Sequence, residues 1–259
     1  MKITEAERII RGGAARYQEL EETKAAIRLE LRKSGPKNHA QRARLYYELV
    51  RSTLAEEHSS ENGTLSHEFA AFQRELNQEA QMFEVKLSLS TDHETTMRIR
   101  NAYTSFCRTS ERSMTSLEVL FRRHSFHEKE QSAFLSKMRY RMLLYRLQKK
   151  YATLAIYAIL DATSRFGTNF QRWGLTTIGT VLLFGALMMV TDSHQTGSSM
   201  IALGAWYDYF YFSVIAFTTA GFGDILPSTG LLKLVVAIEV LLGYVMLGIL
   251  INLIQRKMR

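Results

Sequence analysis

The chain has one cysteine, Cys107, so no intrachain disulfide can form and the composition suits a reducing compartment. Proline is nearly absent: Pro36 and Pro227 are the two, which leaves long stretches free to stay helical. Residues 1–165 hold glycine only at Gly12, Gly13, Gly35 and Gly63. They therefore contain no Gly-rich phosphate loop, dinucleotide fingerprint or β-roll pattern. The seven histidines form no metal-ligand spacing; His124 and His127 can share a helix face, but no cysteine or carboxylate completes a set. No nucleophile, base and orienting group stand in a recognisable pattern. The expectation is a protein that is not an enzyme and needs no organic cofactor. The first 30 residues are charged and lack the apolar core of a cleavable signal.

Charge is also distributed one-sidedly. Residues 1–172 hold 29 of the 33 Lys and Arg, whereas Trp173 to Gln255 contains Lys233 alone. Trp173 to Thr191 has no charged residue across 19 positions, about 28 Å as a helix and close to the thickness of a bilayer core. Leu234 to Ile254 is a second apolar span, interrupted by Glu239. Between them, Trp206 to Phe217 (WYDYFYFSVIAF) is too short to cross but suits a re-entrant helix. The basic excess places both ends in the cytoplasm and the segment from Thr191 to Ala205 outside. Its interspersion with Glu disfavours nucleic acid as a partner and suits a domain beneath an anionic lipid leaflet. No ladder of arginines at every third position enters a span, which argues against a voltage sensor of that kind.

The re-entrant segment runs into Thr218-Thr219-Ala220-Gly221-Phe222-Gly223-Asp224, followed by Pro227. Helix, short aromatic helix, Thr-Thr-Xaa-Gly-Phe-Gly-Asp, proline and helix together resemble the two-transmembrane potassium-channel pore family, over roughly residues 170–256. The resemblance implies that Thr219, Ala220, Gly221, Phe222 and Gly223 form a selectivity filter. Four chains would surround one pore, with the backbone carbonyls of Thr219 to Phe222 replacing the hydration shell of potassium ions. It further implies that Thr218 and Asp224 flank the filter, Asp224 at the outer mouth, and that Tyr211 and Phe212 brace it from the pore helix. Gly243 falls at a hinge position of the family. The chain departs from the pattern at Ala220, where Val or Ile is usual, at Phe222 in place of Tyr, and at Ile215, where some relatives carry a carboxylate. A cation pore of poor selectivity and a non-conducting membrane scaffold are the alternative readings.

Glu239 sits one helical turn before Gly243 and has two readings. It is either a charge in a water-filled cavity or a protonated or hydrogen-bonded brace to the pore helix or outer helix, because an unpaired charge there costs roughly 2.5–3.5 kcal/mol. Gly243 and Gly248 offer places to bend or simply allow close packing, and Ile251 and Gln255 are candidates for a narrow intracellular ring.

The large basic half reads as almost wholly helical. Capping-box patterns at Thr4/Glu7, Thr91/Glu94, Thr115/Glu118 and Ser125/Glu128 mark helix starts, and Ser34-Gly35-Pro36 and Asn62-Gly63 mark breaks. Helices are expected near 4–33, 37–59, 65–89, 92–109, 115–123 and 126–163. Recurrent Ala, aromatic and Leu or Met positions suggest helical hairpins or an irregular bundle, without a clean 34-residue period.

The expectation is thus an all-α, homotetrameric, multi-pass protein of the plasma (inner) membrane, in contact with lipid. Residues 1–150 form a cytoplasmic helical domain, 151–172 an interfacial linker helix, and 173–259 the pore. Any intracellular sensor would be the amino-terminal domain; its ligand or protein partner is left open.

Overall fold

A computed structural model describes residues 2–55, 62–193, 205–227 and 229–258, and every regular element among them is helical. In chain order these are α1 (Lys2–Lys33), α2 (His39–Ala55), α3 (Asn62–Leu89), α4 (His93–Arg123), α5 (His127–Leu147), α6 (Tyr151–Ser164), α7 (Phe170–Ser193), α8 (Tyr207–Phe217) and α9 (Gly230–Lys257). The chain divides into two compact units, Met1–Leu154 and Ala155–Arg259.

In the first unit each helix packs chiefly on its neighbours in sequence, with α2 on α3 and α4 on α5 as the most extensive pairs. The core takes Val50 and Leu54 from α2, Leu65, Phe69 and Phe72 from α3, Cys107, Leu117 and Phe121 from α4, and Tyr140 and Leu144 from α5. Phe83, Tyr103, Phe106 and Tyr140 continue it as a run of ring contacts, Phe83 stacking on Tyr103 at 5.1 Å. The four paired helices differ widely in length, 17, 28, 31 and 21 residues, which is the irregular bundle rather than a uniform repeat.

Two carboxylates of α3 are buried against this core and both are partnered. Glu68 accepts from the Thr53 hydroxyl at 2.8 Å and faces Arg28 at 3.5 Å. Glu75 accepts from Arg42 Nε at 2.8 Å and lies 2.6 Å from His39 Nδ1, tying α2 to α3. On α4, Glu118 joins Lys137 of α5 and Arg122. Burial pushes the Cys107 thiol up to about 12, which leaves it an inert core group.

Local expectations fail here at several places. Residues 93–123 are one helix rather than two: Thr115 donates to the Glu111 carbonyl at 2.8 Å, and Glu118 is occupied by its ion pairs, so the Thr115/Glu118 pattern caps nothing. At the start of α4 the cap is Asp92, which accepts from Thr95 N at 2.9 Å, not Thr91. The helix expected over 126–163 is broken at 148–150, where Lys149 takes φ 57°, and Ser125 at φ 59° belongs to a turn instead of a cap. Thr4 lies inside α1 instead of at its start. The break at Ser34-Gly35-Pro36 is present; the expected end of α2 near residue 59 falls outside the described residues.

The second unit is built on α7, α8 and α9. Phe170–Thr191 and Gly230–Gln255 are long and apolar enough to cross a membrane, whereas α8 has 11 residues, about 16 Å, and cannot. Each of the three helices packs on the other two, and the small core between them holds Phe184 and Met188, Phe212, and Leu232 and Val235. Outward-facing Leu175, Leu182, Leu183, Leu241 and Leu247 remain exposed in the single chain, as suits surfaces meeting lipid or further copies. α6 turns into α7 through Arg165, Phe166 and Gly167, all at positive φ, with Gly167 N donating to Ser164 Oγ at 3.0 Å.

Candidate ion-conduction site

The residues expected to form the filter leave α8 in a defined way. Its last turn closes with Thr219 N donating to the Ala216 carbonyl at 3.1 Å and Ala220 N to that of Ile215 at 3.0 Å. This pair of bonds is a Schellman ending, with Thr219 in the left-handed position at φ 57°. Glycine normally occupies that position. Gly221 at φ 56° and Gly223 at φ 76° follow, so every second residue of 219–223 is left-handed, a conformation in which a side chain beyond glycine is strained. The carbonyl end of α8, where the helix dipole is negative, abuts this segment and favours cations.

Asp224 is held at the far end. Tyr211 donates to Asp224 Oδ2 at 2.8 Å, and Ile225 N donates to Oδ1 at 3.1 Å. Tyr211 therefore reaches the segment from α8, while its neighbour Phe212 turns away into the core beside Ile225 and Leu232. Thr218 donates to the Val214 carbonyl at 2.7 Å, which directs its hydroxyl back along the helix. Ala220 and Phe222 are exposed in the single chain, Phe222 at 70 %.

The inner-helix candidates separate into two groups. Glu239 and Gly243 lie against α8. Glu239 is fully buried and its Oε1 meets Ser213, whose hydroxyl also contacts the Val181 carbonyl of α7 at 2.8 Å. A Cβ added at Gly243 would stand 2.1 Å from the Phe217 carbonyl oxygen, so this glycine permits α9 to touch the end of the pore helix. Gly248 has nothing within 4 Å of such an atom, and Ile251 and Gln255 are exposed. These three stand about 8, 12 and 18 Å beyond Gly243 along the axis, clear of the filter segment. Two contacts have no signal in the sequence: Trp173 Nε1 donating to the Met246 carbonyl at 3.0 Å, and the ring of Phe210 against Gly185. The contact of Glu239 with Ser213 of α8 matches the hydrogen-bonded brace expected of Glu239, with a lone serine in an apolar helix as its partner.

Comparison with known proteins agrees with this geometry. The family model described as an ion channel matches residues 176–259. Over residues 176–259 the chain thus resembles the pore domain of two-transmembrane potassium channels. Two-pore potassium channel 4 of Arabidopsis thaliana is 47 % identical over 45 residues, which is 17 % of this chain and 16 % of that protein. The chain thus spans a small part of that relative's length. No solved structure matches. The match and the two helices long and apolar enough to cross a membrane support an ion-channel pore in this part of the chain.

Proposed function

We propose that this protein is a potassium-selective channel in which four copies place Thr219 to Gly223 around one axis. The alternation of left-handed residues at Thr219, Gly221 and Gly223 is the observation that carries this reading. It supports a strand whose successive carbonyls of Thr219, Ala220, Gly221 and Phe222 line an ion path, with Thr218 and Asp224 at its ends and Tyr211 bracing it from α8. Potassium ions held by those carbonyls are the only bound species the site calls for. Both termini lie in the cytoplasm beneath the plasma (inner) membrane, because the basic excess is confined to residues 1–172 and the last residues. The apolar, exposed side chains Tyr151, Ile156, Ile159 and Phe170, next to Arg165 and Arg172, favour an interfacial role for residues 151–172. Residues 1–150 act as the gating or assembly domain, through a ligand or partner of unassigned chemistry.

The test is ion flux into proteoliposomes with Gly221→Ala as control. The added Cβ meets no atom but sits at φ 56°, so the variant is expected to fold and assemble while losing conduction; undiminished flux overturns the filter assignment. A pore of weak selectivity is the second reading. It is favoured by Ala220 and Phe222, which put less bulk and no hydroxyl behind the strand than Val and Tyr would. Reversal potentials in mixed potassium and sodium separate the two.

A further inference from the structure

Ser213 stands at the junction of all three pore-domain helices. It is fully buried on α8, and its Oγ lies within hydrogen-bond reach of the Val181 carbonyl on α7, at 2.8 Å, and of Glu239 Oε1 on α9. A hydroxyl carries one hydrogen, a carbonyl can only accept, and an ionised carboxylate can only accept. Ser213 cannot donate to both at once. Both contacts are hydrogen bonds if Glu239 carries a proton and donates it to Ser213 Oγ, while Ser213 donates to Val181. The other carboxyl oxygen, Oε2, is buried without a partner among the described residues, an environment that a neutral acid tolerates far better than an anion.

Among the described residues, no charged side chain pairs with Glu239 to offset an anion at this position, and Ser213 is the side chain that it bonds to. On α7, Arg172 stands in the first turn, nine residues before Val181. On α8, Asp208 accepts from Ala205 N at 3.0 Å, Tyr211 is bonded to Asp224, and Tyr209 packs in the apolar cluster. On α9, Lys233 and Tyr244 lie six and five residues away, off the face that Glu239 presents to α8.

We propose that Glu239 is a neutral carboxylic acid donating to Ser213, and that loss of its proton unlinks the pore helix from α7 and makes conduction depend on pH. Glu239 is then a positioning residue. It holds α8, and through α8 the turn at Thr218 and Thr219, in register with the two spanning helices, and it touches no ion. On deprotonation the Ser213 hydrogen turns to the carboxylate, the Val181 carbonyl loses its partner, and the buried charge draws in water. Acid therefore keeps the three-helix link and alkali releases it. This inference rests on the channel reading for its effect on flux, but the protonation itself does not.

The experiment pairs ion flux with infrared difference spectroscopy on the full-length protein in bilayers across a pH series. Flux through the wild type is expected to fall several-fold as pH rises, in step with loss of a carboxylic-acid carbonyl band. Glu239→Gln, whose amide N–H can donate to Ser213 without titrating, is expected to remove the band and conduct with a flat pH profile. Glu239→Asp, which keeps the acid, should shift the band and keep a pH dependence, covering the case in which the glutamine variant fails to assemble. An absent band in a conducting wild type, or an unaltered pH profile in Glu239→Gln, overturns the proposal while leaving the channel intact. A titrating band in a protein that passes no ions sinks the conduction reading and upholds the protonated link.

Discussion

Gly243 shows how much a single hydrogen can decide. Its Cα lies so close to the Phe217 carbonyl that a methyl group would overlap a backbone oxygen at 2.1 Å, and neither partner is a flexible side-chain end that could swing aside. Gly243→Ala must therefore push α9 away from the last turn of α8, at an overpacking cost of about 1–3 kcal/mol. The expected result is a lower melting temperature and reduced conduction together, because the displaced turn is the one that ends at Thr219. Gly248→Ala is the matched control. Nothing lies within 4 Å of its Cβ in the chain, and alanine favours the helix by about 1 kcal/mol, so its melting temperature should hold or rise. Equal losses in both variants would mean that helix bending, not contact with Phe217, is what the glycines supply.

At the scale of elements, the pairing of α2 with α3 depends on a buried carboxylate. Burial opposes ionisation of Glu75, yet the hydrogen bonds from His39 and Arg42, with their charge, hold its carboxyl below the ordinary value. A carboxylate lowered on folding stabilises the fold above its unfolded value, here the ordinary 4.5, and that contribution disappears as pH falls through the folded value. Acid should therefore loosen this hairpin below about pH 4.5. Glu75→Gln should cost about 2 kcal/mol at neutral pH, less than the roughly 3–5 of a fully enclosed pair, because His39 and Arg42 keep some solvent contact. Thermal unfolding against pH checks both: the wild type should lose stability more steeply than the variant on the acid side, and parallel curves would count against the assignment.

The same elements show what a sequence does and does not disclose. The pore was legible because its constraints are local and stringent: two uncharged runs of membrane length, a short aromatic helix between them, and glycines at 221 and 223 where the backbone turns left-handed. Thr219 was legible as a hydroxyl but not as a Schellman residue, since glycine is the usual signal for that position. In the amino-terminal half, helicity was legible from the lack of proline and glycine, and so were the helix ends at Lys33 and Leu89, but the boundaries within 109–163 were not. A Thr followed by Glu three residues on, as at Thr115 and Glu118, arises readily within a long helix whose Glu is recruited by Lys137 of the next one. The break at 148–150 has neither glycine nor proline and comes from Lys149 turning left-handed among charged neighbours.

At the scale of the molecule, the first unit has its own hydrophobic core, running from Ala43 to Leu144, and its own buried ion pairs. Such a body does not need the pore to fold. Residues 1–150 expressed alone are therefore expected to be helical, to unfold cooperatively, and to keep Cys107 unreactive toward a thiol reagent until they unfold. The oligomeric state of that fragment then divides the two roles proposed for it. A tetrameric fragment makes the domain an assembly device, and removing residues 1–125 from the full chain should then dissociate the channel. A monomeric fragment assigns assembly to the pore domain, and the truncated channel should remain oligomeric with a changed open probability. A monomeric fragment combined with a truncated channel that opens as the full chain does under every condition tried would remove both roles from the amino-terminal half.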